Sequence, residues 1–175
     1  MTYTLSGMTL IGSAVVAAIV GLAQPPQGGG PAAGQELAGI RCDAMEGNRV
    51  HIHQHLVIFD HGKQVPIPDN VGRPLMKQCL YWVHTHTTDG VIHIESPTTR
   101  TFTLGDFFTI WGKPLSTTSV ASAKADKGTT LKVWVDGTPY KGDPRAIPLN
   151  AHTDVVIEAG PPFPTPPKFT AWAGR

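Results

Sequence analysis

The chain has 175 residues, enough for one ordinary domain and a membrane segment but too few for two large domains. A net charge of +1 with only 15% charged residues excludes the strongly basic surface that binds phosphate backbones, so we expect no nucleic-acid partner. The 19 glycines and 16 prolines disfavour long helices and predict turns and short strands. The expected fold class is therefore mainly β (α+β), as a single domain.

Near the N-terminus lies an uncharged apolar segment, residues 5–23 (LSGMTLIGSAVVAAIVGLA). Its length is close to the about 20 residues that a helix needs to cross a bilayer. A cleavable signal peptide is the alternative, but no Lys or Arg precedes the segment, which favours a retained anchor. We therefore predict a transmembrane helix at residues 1–23, crossing the cell inner membrane once and placing the domain on the periplasmic side. Residues 24–40, rich in Pro and Gly, are predicted to be a linker.

The segments that follow predict a mainly β domain at residues 41–160. Alternating and apolar runs bounded by turn residues are typical of strands. Such runs occur at residues 50–59, 65–67, 80–84, 91–95, 131–135 and 154–158. Residues 116–130 are expected to form an exposed loop.

One short helix is predicted within this domain, over residues 104–111. Thr103 and Asp106 have the spacing of a capping box, and Gly112 is suited to end the helix. The Pro-rich residues 161–175 are expected to form an extended tail, and their aromatic side chains predict that the tail docks on a partner or on its own domain.

Histidines are concentrated in one part of the domain, with six of the eight between residues 51 and 93. Because side chains alternate along a strand, residues two apart share one face. The expected same-face sets are His51, His53 and His55, then His84 and His86, then His93 and Glu95. A single histidine on a strand is usually an ordinary polar residue, but repeated His-x-His steps predict a site for a transition metal ion: zinc, copper or iron.

The candidate metal ligands, in order of preference, are His84 and His86, then His53 and His55, then His93 and His51. Glu95 is expected either as a ligand or as an acceptor that orients an imidazole. His61 and His152 lie in predicted turns or loops, so we expect ordinary polar roles for them. No catalytic or cofactor-binding residue is predicted, since the chain shows no recognisable nucleophile motif, phosphate loop or redox C-x-x-C. Whether the protein is an enzyme stays open, with a non-catalytic role favoured.

The two cysteines, Cys42 and Cys79, are expected to form a disulfide in an oxidising compartment. The alternative is that one of the two thiolates joins the histidines as a metal ligand. The disulfide is the preferred interpretation, and it places the domain outside the cytoplasm.

Residues 79–112 (CLYWVHTHTTDGVIHIESPTTRTFTLGDFFTIWG) resemble a segment of uncharacterised His-rich bacterial envelope proteins. The string His84-Thr85-His86-Thr87, together with the N-terminal apolar segment, also resembles the HTHT-motif accessory subunit of a photosynthetic reaction-centre and light-harvesting complex. This resemblance implies an extrinsic periplasmic subunit whose helix lies in the complex and whose domain braces it. With the histidines added, the first hypothesis is a non-catalytic, membrane-anchored accessory subunit with a histidine metal site, and with the subunits of the complex and the lipid bilayer as partners. The alternatives are a periplasmic copper- or zinc-handling protein and a mononuclear metalloenzyme.

Overall fold

The computed structural model describes residues 1–2, 35–74 and 78–174. Across this part of the chain no helix is both long and apolar enough to cross a membrane. Residues 3–23 of the transmembrane helix predicted at residues 1–23 lie outside the described residues, as do residues 24–34 of the predicted linker. The described residues form a mainly β structure with one short α-helix, as the sequence predicts.

Eleven strands, most of them short, are seen in the described part of the chain. They are β1 (Cys42–Asp43), β2 (Val50–Asp60), β3 (Lys63–Val65), β4 (Leu80–Tyr81), β5 (Val83–His84), β6 (Val91–Ser96), β7 (Ser119–Val120), β8 (Ala123–Lys124), β9 (Lys132–Val135), β10 (Thr138–Tyr140) and β11 (Asp154–Ala159). The central sheet has the order β10-β9-β11-β2-β6-β5, with β3 also paired to β2. The long strand β2 runs parallel to β11 and antiparallel to β6 and β3.

Tight turns set the register of two hairpins in this sheet. His61 and Gly62 both have positive φ between β2 and β3, and Asp136 and Gly137 do so between β9 and β10. Two positive φ values in a two-residue loop match the right-handed twist of the paired strands. The hairpin predicted after residue 59 is therefore present, although its second strand is β3 and not the predicted residues 65–67.

Two further predictions, of one strand and one loop, differ from the structure. The strand predicted at residues 80–84 is divided, because Leu80–Tyr81 pairs with β1 while Val83–His84 pairs with β6. The predicted exposed loop at residues 116–130 contains the β7–β8 hairpin, in which Val120 and Ala123 are buried. These two side chains pack into the hydrophobic core, although most residues around them in the sequence are polar.

One face of the sheet carries the hydrophobic core. The helix α1 (Leu104–Trp111) lies in this core, and its first turn has the predicted capping box between Thr103 and Asp106. Gly112 adopts the left-handed conformation that ends the helix. The largest fully buried apolar side chains of the core are Tyr81, Phe107, Phe108, Ile40, Leu56, Ile58, Ile92, Ile94, Leu104, Ile147 and Ile157.

The opposite face, which we call the histidine face, carries the odd-numbered residues of β2, including His51, His53 and His55. The C-terminal tail, residues 161–174, packs against its own domain on this face. Phe169 stacks on His55 with ring centroids 4.0 Å apart, and the Lys132 ammonium lies 3.5 Å from the centroid of Phe163.

Candidate metal centre

Strand register brings histidines from three strands into one row of the histidine face. His53 on β2 is directly opposite His93 on β6, and His93 is directly opposite His84 on β5. Directly paired residues project from the same face, so the three imidazoles are neighbours. His51 is paired with Glu95 one step further along the same two strands, which adds a carboxylate beside the row.

Four side chains form what we call the inner group: His84, His86, His93 and Glu95. One ligand atom from each lies within 4.8 Å of the others, an arrangement that could hold a metal ion. Nε2 of His84 and Nε2 of His86 are 2.9 Å apart, and Nε2 of His84 is 3.7 Å from Oε2 of Glu95. Two ligands of one tetrahedral zinc ion would be about 3.3 Å apart, so these separations fit a common ion.

The orientation of His84 suits a metal ligand. Its Nδ1 lies 2.8 Å from the carbonyl oxygen of Tyr81, so Nδ1–H donates to that oxygen and the lone pair of Nε2 points into the inner group. Hydrogen bonding of the second ring nitrogen is the usual way in which proteins orient a metal-binding imidazole. His84 is fully buried, and this burial lowers its pKa to about 4, with a smaller contribution in the same direction from His86.

Burial also keeps the other two imidazoles of the inner group neutral. It is the main cause that lowers the pKa of His93 to about 3, with the neighbouring histidines adding to the effect. It lowers the pKa of His86 as well, and the positive charge of Arg73 acts in the same direction. Neutral imidazole is the form that binds a metal ion, so these residues are in the ligand state at neutral pH.

Glu95 is a buried carboxylate surrounded by histidines, with 4% of its surface exposed. Its Oε1 is 3.2 Å from Nε2 of His51 and 3.3 Å from Nδ1 of His93. Burial raises the pKa of this carboxyl, and the negative charge of Glu46 raises it further, whereas His51 lowers it. A cation beside Glu95 would therefore relieve an electrostatic cost built into the fold.

A second set of side chains, which we call the outer group, consists of His51, His53, His93 and Glu95. Their ligand atoms also lie within 4.8 Å of one another. The rings of His53 and His93 meet edge to face at 4.4 Å, and those of His51 and His53 at 4.9 Å. The side chain of His51 is 60% exposed, so this group opens towards solvent.

The structure does not bring His55 into either group. Its Nδ1 is 2.7 Å from Oδ1 of Asp154, and its Nε2 is 3.0 Å from the carbonyl oxygen of Asp89. Both ring nitrogens therefore face oxygen acceptors, although the ring lies on the histidine face. The alternation in β2 correctly predicts the face of His55, but the strand that supplies Asp154 begins 99 residues later and gives no local signal.

The two histidines expected in ordinary polar roles lie outside both groups. His61 is in the β2–β3 turn, where its ring nitrogens contact carboxylates of Asp60 and Asp126. These contacts raise the pKa of His61, the hydrogen bond with Asp60 contributing most. His152 lies in a turn before β11 and stacks against Trp172 of the tail.

The cysteines are joined to each other, so neither is a metal ligand. Cys42 and Cys79 form the predicted disulfide at the edge of the β1–β4 pair. The Tyr81 carbonyl that orients His84 belongs to β4. The sequence does not predict this role, because every residue type has a backbone carbonyl.

No protein-family model, curated protein or solved structure matches this chain. The fold and site by themselves define a mainly β, disulfide-linked domain with two overlapping His/Glu groups that could hold metal.

Proposed function

We propose that this domain binds a transition metal ion through the inner group. The observation that carries the proposal is the convergence of Nε2 of His84 and Nε2 of His86 at 2.9 Å, with Nδ1 of His84 already engaged by a backbone carbonyl. Imidazole nitrogens with one carboxylate favour zinc, copper or iron over calcium and magnesium.

The role of the metal in this proposal is structural and non-catalytic. His93 lies on β6, His84 lies on β5, and His86 follows β5, so one ion would tie the sheet edge to the loop that leaves it. His84 is fully buried and held from behind by the Tyr81 carbonyl. A buried, preoriented ligand set supports a retained ion.

We further propose that the domain is the extracytoplasmic part of a membrane-anchored accessory subunit. The Cys42–Cys79 disulfide supports an oxidising compartment such as the periplasm, since disulfides seldom persist in the cytosol. The apolar residues 5–23 support an inner-membrane anchor, and the His84-Thr85-His86-Thr87 string supports a place in a photosynthetic reaction-centre and light-harvesting complex.

The alternative function is metal handling, or metal catalysis at an open coordination position. The partial exposure of His86, whose side chain is 30% exposed, favours it because an accessible ligand permits exchange with solvent or substrate. A closed four-ligand coordination shell would support the structural role, and a bound, exchangeable water would support the alternative.

The experiment is elemental analysis of the full chain purified without an affinity tag from an oxidising compartment. The wild-type protein should carry stoichiometric metal, and the H84A/H86A variant should lose it. The matched control is H61A, which removes an exposed turn histidine outside both groups. Metal content that is unchanged in H84A/H86A would refute the inner group as the site.

Recovery of the detergent-solubilised wild-type protein tests the accessory role. Co-migration with a large membrane complex is the expected result. Migration as an isolated chain that still contains its metal would favour the metal-handling alternative.

A further inference from the structure

The two carboxylate oxygens of Glu95 face different sets of histidines. Oε1 is near His51 and near Nδ1 of His93, at 3.2 and 3.3 Å. Oε2 is 3.7 Å from Nε2 of His84 and has no hydrogen-bond partner among the described residues. An unpaired carboxylate oxygen that is buried costs free energy unless something electropositive lies beside it.

The inner and outer groups share only His93 and Glu95. The inner group has His84 and His86 to itself, and the outer group has His51 and His53. One tetrahedral ion takes four ligands, so the six residues offer more donors than a single ion uses.

From this geometry we infer that the histidine face holds two transition metal ions, bridged by the carboxylate of Glu95. This inference rests on the proposed function and adds a second ion to it. Oε2 binds the ion of the inner group, and Oε1 binds the ion of the outer group beside His51. Carboxylate-bridged pairs of ions in proteins lie about 3.5–4 Å apart.

The two positions differ in access to solvent. His84 in the inner group is fully buried and oriented by the Tyr81 carbonyl, so the inner ion binds first and leaves slowly. His51 in the outer group is largely exposed, so the outer ion exchanges more readily and keeps room for a water or another small ligand.

The first test is the stoichiometry of zinc bound to the full chain after loading with excess Zn²⁺ and gel filtration. We expect two zinc ions per wild-type chain and one in the H51A/H53A variant, which keeps the inner pair of histidines. One ion in both proteins would overturn the bridged pair while leaving the proposed function intact. No zinc in either protein would overturn both.

A second measurement needs no substitution. When both positions are loaded with Cu²⁺, two ions bridged by one carboxylate interact magnetically, and electron paramagnetic resonance shows a half-field signal. A spectrum of isolated Cu²⁺ at full loading would overturn the bridge.

The bridging residue itself is tested with E95Q, which removes the shared negative charge. The second zinc ion should be lost while the first is kept at reduced affinity. E158Q is the matched control, because Glu158 is a fully buried glutamate outside both groups. Retention of two zinc ions by E95Q would contradict the bridge.

Discussion

At the scale of single residues, His55 serves the fold although it lies among candidate metal ligands. Asp154 accepts from Nδ1 of His55 through one carboxylate oxygen and from the backbone N–H of Phe169 through the other, at 2.7 and 2.9 Å. The pair therefore joins β2, β11 and the tail at one point. Neither ring nitrogen of His55 is therefore directed into the inner or the outer group.

Glu158 on β11 is a different case, since its carboxyl is fully buried and neither oxygen has a hydrogen-bond partner among the described residues. Burial raises the pKa of this carboxyl, and the positive charge of Lys132 opposes the rise. A group whose pKa is higher in the folded state stabilises the fold at low pH. That contribution is lost as the pH rises through the folded-state pKa.

We therefore predict that E158Q increases the free energy of unfolding at neutral pH. The gain should be about 1.4 kcal/mol for each unit by which folding raises the pKa, and it should vanish below the pKa of the unfolded chain. Urea denaturation between pH 4 and 8 measures it. E36Q, which changes an exposed glutamate, should show no such gain. A loss of stability in E158Q at neutral pH would contradict this account.

At the scale of elements, the local parts of the site were predictable and its long-range parts were not. Alternation alone places His51, His53 and His55 on one face, and the capping box predicts α1 correctly. The exclusion of His55 depends on the parallel pairing of β2 with β11, whose partners are far apart in sequence. No local pattern encodes that pairing, because it follows from how the two apolar strands share the core.

The position of the C-terminal tail could not be predicted either. Its prolines predict an extended chain but not the surface against which the tail packs. In the structure its aromatic residues follow the histidine face, with Phe169 between His55 and Trp172. The tail therefore covers the part of this face next to β9 and β11, while the inner and outer groups occupy the part formed by β2, β6 and β5.

We predict that F169A detaches the tail without removing the metal. Loss of the stacked ring removes an aromatic contact worth about 0.5–1.5 kcal/mol beyond its buried area, so limited proteolysis should cleave within residues 161–174 faster than in the wild type. T170A, which alters an exposed neighbour, is the control and should be cleaved at the wild-type rate. Loss of metal from F169A would mean that the tail, and not the sheet alone, positions the ligands.

At the scale of the whole molecule, the sheet is covered on both faces by different means. The core face is closed by α1 and apolar side chains, and the histidine face is closed partly by the tail and partly by imidazoles. Imidazoles contribute less hydrophobic free energy than aliphatic side chains, so the proposed metal ion would add stability to the part of the sheet that the histidines cover. Stability and metal content are therefore expected to be coupled.

The Cys42–Cys79 disulfide is expected to affect both the stability of the fold and the binding of metal. It joins residues 37 positions apart and holds β1 against β4, the strand whose Tyr81 carbonyl orients His84. We predict that C42S/C79S lowers the free energy of unfolding of the zinc-free protein by about 3–4 kcal/mol, the loop-closure entropy for this separation.

The same variant should bind zinc more weakly while retaining its stoichiometry, because the ligands remain but the strand that orients His84 is less restrained. Urea denaturation measures the first effect, and titration against a chromophoric chelator measures the second. A44S, which changes an exposed neighbour of the disulfide, is the control. Unchanged zinc affinity in C42S/C79S would show that β5 and β6 alone hold His84 in place, and that the disulfide stabilises the fold without acting on the site.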